Sequence, residues 1–333
     1  MSEQQSFHLS NCLELGQSFC SLPFLQLHIN TMKNQQLCCY SRKTVTDDTV
    51  LAEVKSKMLK NEPIADYCNT CYVQEQQGKV SPRMESNKYA LTKHKNSLEK
   101  AIQNFNTKPV VYDLRISNLC NLACQMCNWK SSSMIAAAEN IDTRFLSWEI
   151  DVDINPQAEK IYLAGGEPFL IKKFSDLLRK VENTDCFIDI NTNATVLTDH
   201  LLNELDRFNN LQFTISIDAF GDLNSKIRVN SDWDTIVTNL KILHERYSHV
   251  NNLFHVNTVL QKDNVNHLLE LGQWIESTGM ISNWSINELT SPENFHYSNA
   301  PFIAIPDEIF KLKLVKKNIS VLKLLKSIRS NLT

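Results

Sequence analysis

Residues 115–130 read "RISNLCNLACQMCNWK", which places Cys120, Cys124 and Cys127 within eight residues. A closed structural zinc site takes four ligands, usually as two separated pairs. The Cys-x3-Cys-x2-Cys spacing is wider than one such pair and one ligand short of two. Three thiolates around an iron–sulfur cubane leave one iron with an open position. The triplet taken alone fits zinc or iron–sulfur equally well. What comes before it matters as much: "VVYDLRIS" (110–117) has the apolar and β-branched pattern of a strand, so the triplet begins just past a strand's C-terminal end.

The same arrangement recurs downstream. "KIYLA" (160–164), "CFIDINT" (186–192), "QFTISID" (212–218), "FHVNTV" (254–259) and "NWSIN" (283–287) read as strands. Between them "FSDLLRKVE", "TDHLLNELDRF", "WDTIVTNLKILHERY" and "NVNHLLELGQWIES" carry apolar residues at spacings of three and four, the helical period. Strand alternating with helix predicts parallel βα units with right-handed connections, in a closed or partly closed barrel or an open doubly wound sheet. Each strand runs into glycine or polar residues at its C-terminal end: Gly165-Gly166-Glu167-Pro168, Asn191-Thr192-Asn193, Ser216 and Asp218, Asn257 and Thr258, Asn287 and Glu288. Ligands of parallel α/β folds bind outside that edge, so the active site is expected there.

Individually these signals are ordinary. "GGEP" is a turn, Asp218 can cap a helix, and Cys186 within an apolar run is a buried, inert thiol. In this order, each after its own strand, they resemble the radical S-adenosylmethionine (SAM) enzymes. "CNLACQMC" is similar to that superfamily's cluster loop, "LAGGEPFL" to its Gly-Gly-Glu-Pro segment, "NTNATVL" to its "TNG" segment with Ala194 for glycine, and "SIDAF" to its "SLDG" with Ala219 for glycine. The resemblance covers about residues 110–290 and implies a partial (β/α)6 TIM-like barrel. It implies a [4Fe–4S] cluster on Cys120, Cys124 and Cys127, with SAM on the open iron. One electron from the cluster then cleaves SAM to a 5′-deoxyadenosyl radical, which abstracts a substrate hydrogen. Gly165, Gly166 and Glu167 would receive the SAM ammonium, through carbonyls that glycine lets approach closely. The backbone at Met126 would meet the adenine, and Asn193 would belong to the same site. Ser216 and Asp218 would lie by the ribose, and Arg228 by the SAM carboxylate. On this reading the glycine pair serves SAM, and the cluster needs only its own loop.

Six further cysteines precede residue 72. Cys20, the pair Cys38-Cys39, and Cys68-x2-Cys71 supply four ligands, enough for a closed zinc site or a four-thiolate cluster. The segment resembles the SPASM and twitch auxiliary-cluster modules, although those usually follow the barrel and carry glycine where this chain has Lys33. The resemblance implies a second [4Fe–4S] cluster, with zinc as the alternative, and its spacing picks Cys38 as ligand with Cys39 in reserve. Cys12 has no partner signal. The expected organisation is therefore a small N-terminal cysteine-rich domain and linker over 1–108, the barrel over 109–290, and a tail over 291–333. Residues 79–108, polar and lysine-rich, read as a solvated connector containing a helix. "IFKLKLVKKNISVLKLLKSIRS" (309–330) reads as one amphipathic helix docking on the barrel.

The chain of 333 residues is 42% hydrophobic and 21% charged with a net charge of −3, which gives no footing for nucleic-acid or membrane-surface binding. No signal peptide or spanning segment is read, so the expected location is cytoplasmic. There, thiols serve as metal ligands more often than as disulfides. The substrate is the open question. A peptide or protein is the leading expectation and a small molecule the alternative, with a flavodoxin or ferredoxin as reductant. A non-catalytic iron–sulfur carrier on a degenerate barrel is the reading of another class.

Overall fold

The computed structural model describes residues 18–143, 152–289 and 291–331. Eight strands form one sheet: β1 (Gln26–Ile29), β2 (Gln35–Gln36), β3 (Val111–Leu114), β4 (Lys160–Leu163), β5 (Phe187–Thr192), β6 (Asn210–Ser216), β7 (Asn251–Leu260) and β8 (Asn283–Glu288). Their order is β2-β1-β3-β4-β5-β6-β7-β8, so the sheet curves without closing. All neighbours are parallel except β1 and β2. The six strands expected after Pro109 are all present. β1 was not expected: "QLHI" is short and half polar, yet it pairs in parallel with β3 and extends the barrel sheet into the cysteine-rich region.

Side chains alternate across the strands, and the two faces differ sharply. One face carries Ile161, Leu163, Ile188, Ile190, Leu211, Phe213, Phe254 and Val256, all buried in the main core. There Phe213 and Phe254 stack at 5.2 Å. The helices Lys172–Arg179, Asp199–Leu205, Trp233–Arg246 and Leu268–Thr278 supply the opposing apolar side chains, including Phe174, Leu202, Leu240 and Leu271. Each such Leu or Phe taken out of water contributes roughly 1.5–3 kcal/mol. The other face carries one cross-strand row of polar residues, His28, Asp113, Tyr162, Asp189 and Gln212, in register over β1 and β3–β6.

The stretch 79–108 is not a solvated connector. It folds into two helices, Pro82–Lys93 and Lys95–Gln103, that bury Ala90, Leu98, Ala101 and Ile102 in a second core with Phe19, Phe24, Val54 and Met58. Arg83 is buried with it, donating to the Phe19 carbonyl at 2.7 Å and ion-paired to Glu75. The lysines that made this stretch look exposed occupy the outer face of the helices. The C-terminal stretch is also not one helix. It divides into Asp307–Lys311, Lys313–Lys317 and Ile319–Ser330, because Asn318 stops one helix and caps the next through Val321 N at 3.2 Å. Val315, Val321, Leu325 and Ile328 enter the main core, so the tail covers the barrel.

Candidate active site

The loop after β3 presents Cys120, Cys124 and Cys127, and its backbone is fastened at both sides. On one side Gly166 N donates to the Ser117 carbonyl at 2.9 Å and Glu167 N to the Leu119 carbonyl at 2.7 Å. On the other, Ala123 N donates to Val229 O and Gln125 N to Ile227 O, each at 3.0 Å. Ser132 Oγ reaches the Leu122 carbonyl at 2.6 Å, and Asn118 Nδ2 the Trp129 carbonyl at 2.9 Å. Burial pushes the Cys120 thiol up to about 12 and Cys124 to about 11, and raises Cys127. Thiols so placed ionise at neutral pH only against added cations. Cubane irons supply those cations, and neighbouring thiolates strengthen the demand for them. Among the described residues no three His, Cys, Asp or Glu side chains close on a single ion. Three thiols on one fastened loop are the donors an iron–sulfur cluster would take, so the donor set fits the cluster by its chemistry.

The glycine pair proves to be part of the loop's seat. Gly165 has φ +118, and a Cβ there would come 2.5 Å from the Ser117 carbonyl oxygen. A Cβ on Gly166 would come 2.0 Å from the Leu119 carbonyl oxygen. The expectation that this pair serves SAM alone is therefore corrected: its missing side chains let β4's end pack on the base of the cysteine loop. Glu167 is corrected as well. Its carboxylate is fully buried and accepts from Thr192 Oγ1 and Asn193 N at 2.7 Å each and from Phe169 N at 3.2 Å, tying β4's end to β5's. Burial pushes it up to about 7.

Asn193 lies at the site. Its Nδ2 donates to Asn121 Oδ1 at 3.1 Å and points to Cys120 Sγ at 3.9 Å. The following Ala194 holds φ 56, the left-handed conformation that explains glycine at this place in the resembled segment. Ser216 Oγ donates to Asn191 Oδ1 at 3.3 Å on the inner face of the sheet. Asp218 is fully buried, ion-paired to Arg228 at 2.8 Å, and accepts from Val259 N at 2.7 Å. Arg228 points Nη1 at Cys124 Sγ, 3.9 Å away. Sequence reading missed Asn224 and Asn264. Asn224 Oδ1 takes Asp218 N at 2.9 Å, and Asn264 Nδ2 donates to Asp218 O at 2.8 Å. Neither sits in a recognisable motif.

In the N-terminal region Cys20, Cys38, Cys68 and Cys71 line one hollow together with Arg83. Cys68 and Cys71 stand one turn apart on the helix Ala65–Gln76. Burial raises Cys20, Cys38 and Cys68, the last to about 12. Cys39 borders a different cavity. Lys33, at the place of the usual glycine, has φ 62 and so adopts the backbone that glycine favours. Cys12 lies outside the described residues.

That second cavity, about 1210 Å³ with its solvent-facing mouth included, lies against the polar sheet face. Cys38, Cys39 and Tyr40 border it on one side, and Asp113, Arg115, Lys160, Tyr162 and Asp189 on the other. Asp113 binds His28 at 2.9 Å and Arg115 at 3.0 Å, which hold its carboxyl below the usual range against the cost of burial. Asp189, 3.9 Å from Lys160, is raised by burial and accepts from Gln212 Nε2 at 3.0 Å.

Comparison with known proteins agrees with the family resemblance. Residues 114–275 match the model of the radical SAM superfamily. Over 96 residues the chain is 34% identical to the tungsten-containing aldehyde ferredoxin oxidoreductase cofactor-modifying protein of Pyrococcus furiosus, a match covering 28% of this chain and 26% of that protein. Among solved structures, Streptococcus suis SuiB bound to S-adenosylmethionine aligns with TM-score 0.41 at 16% identity, over 82% of this chain and 63% of that one. Native anSMEcpe with bound AdoMet aligns with TM-score 0.42 at 15% identity, over 64% and 58%. The chain thus spans about a quarter of the curated relative's length and under two thirds of the SuiB chain's. Among the described residues no helix is long and apolar enough to cross a membrane. Residues 114–275, just under half of the chain, are thus the stretch that matches the radical SAM superfamily.

Proposed function

We propose that the chain is a radical SAM enzyme that modifies a peptide or protein held in the cavity against the polar sheet face of its open barrel, with a second [4Fe–4S] cluster on Cys20, Cys38, Cys68 and Cys71. When bound, a [4Fe–4S] cluster with SAM supplies a 5′-deoxyadenosyl radical that takes a hydrogen atom from the substrate. The protein's part is to seat that chemistry. Cys120, Cys124 and Cys127 hold the first cluster, Asn193 borders it, and Ser216 stands at the adjoining strand end.

The observation that carries the substrate reading is the inner face of the sheet. Parallel barrels normally fill their interior with branched apolar side chains. Here that face has Asp113, Arg115, Lys160, Tyr162 and Asp189 lining an open cavity. Buried polar groups are costly without partners, so such a face suits a ligand rich in hydrogen-bonding groups. Charges of both signs alternate along it, which matches amides and mixed side chains better than a single anionic or apolar ligand. Cys38 and Cys39 border the same cavity, so an electron leaving the substrate has a short path to the quartet. A flavodoxin or ferredoxin would supply the first electron.

The test uses anaerobically reconstituted protein with dithionite and SAM. 5′-Deoxyadenosine should form, and the three-cysteine variant, with Cys120, Cys124 and Cys127 all replaced by Ala, should form none. Deuterated cell extract, separated into peptide/protein and small-molecule fractions, then identifies the hydrogen donor. Deuterium should enter 5′-deoxyadenosine from the peptide and protein fraction. Transfer from the small-molecule fraction alone overturns the substrate class while leaving the chemistry intact.

A further inference from the structure

Arg228 is buried and makes two commitments at once. Its Nε is ion-paired to Asp218 Oδ2 at 2.8 Å, and its Nη1 lies 3.9 Å from Cys124 Sγ. Backbone bonds fix this geometry. Ala123 and Gln125 donate to Val229 and Ile227, so the loop residue between the donors, Cys124, lies opposite Arg228. Arg228 N also donates to Asn224 O at 2.7 Å, and Asn224 Oδ1 holds Asp218 N. We propose that Arg228 is a positioning residue that sets the reduction potential of the cluster on Cys120, Cys124 and Cys127, through a cationic N–H directed at the Cys124 sulfur, with Asp218 holding the guanidinium in place. The inference rests on the cluster reading of the triplet.

A reduced cluster carries one more negative charge than an oxidised one. A nearby cation and an N–H···S contact stabilise the reduced form and raise the potential. Burial enlarges the effect, because little water screens the pair. Asp218 opposes it from the far side of the guanidinium. The guanidinium turns Nη1 to the Cys124 sulfur and Nε to the Asp218 carboxylate. The pair is therefore neutral as a whole but turns its positive end to the cluster.

The two members should then shift the potential in opposite directions, which separates charge tuning from simple support of the loop. Full-length protein, reconstituted anaerobically and without SAM, is titrated redox-potentiometrically with electron paramagnetic resonance detection, using the signal absent from the three-cysteine variant. Arg228→Gln should make reduction about tenfold less favourable, which is about 59 mV for one electron. Asp218→Asn should shift it the other way. Arg228→Lys, which keeps the charge, should restore most of the parent value. Unchanged potentials, or shifts of the same sign in Arg228→Gln and Asp218→Asn, overturn the inference. If Arg228→Gln fails to fold, the sign of Asp218→Asn decides: a shift to lower potential, or none, overturns it. A weakened SAM affinity with an unmoved potential assigns Arg228 to SAM instead. Iron measured on the same samples separates the two levels: a parent without a SAM-responsive cluster defeats the reading of the triplet itself, whereas an intact cluster with unmoved potentials defeats only this inference.

Discussion

At the scale of single residues, the glycine after β4 makes the sharpest prediction. A valine side chain at Gly166 begins with a Cβ 2.0 Å from the Leu119 carbonyl oxygen, which is backbone and cannot yield without moving the loop. Gly166→Val should therefore lower iron at the triplet from about four atoms per chain toward zero, and SAM binding should fall with it. Iron assay and calorimetry on the same preparation check this. Full iron with weakened SAM binding would return the pair to a ligand-only role. The identity of these residues is legible in the sequence, but the direction of their side chains is not. Glu167 and Asp218 both follow strands and both read as ligand contacts. Glu167 instead turns to Thr192 and Asn193, and Asp218 to Arg228 and Val259. Nothing local encodes partners 10 to 41 residues away, and the carboxylate goes where the buried donors are.

At the scale of elements, the helix Ala65–Gln76 brings Cys68 and Cys71 to the hollow that Cys20 and Cys38 also line, while Cys39 lines the cavity beside Arg115. Cys38→Ala should lose the second cluster, about four of about eight irons, and Cys39→Ala should keep it. Equal loss in both, or zinc in place of iron in the parent, would overturn the assignment. The long periodic helices and the six strands after Pro109 were readable because their apolar residues repeat at 3.6 or 2.0. β1 was hidden because its inward residue is His28, whose place in the sheet depends on Asp113 across the strand boundary. The helix break at Asn318 was hidden for a related reason. Asn318 Nδ2 donates to Trp284 O at 2.9 Å and to Asn283 Oδ1 at 3.2 Å, so the break is set by β8.

At the scale of the whole molecule, the sheet divides the chain into a dry side and a wet one, and the C-terminal helices belong to the dry side. Leu325, fully buried on Ile319–Ser330, seals the main core. Leu325→Ala should cost about 2–5 kcal/mol in denaturant unfolding without changing iron content. A cost near zero would mean that the tail is not docked in solution. The cysteine loop also has a consequence for the protein's working life. Its anchors to Gly166 and Glu167 on one side and to Ile227 and Val229 on the other are made by peptide groups, with no metal among them. Air that strips a cluster from this loop should therefore leave the receptacle standing. Damage at this centre should then be loss of cargo rather than collapse, with circular dichroism unchanged and iron restored on refilling.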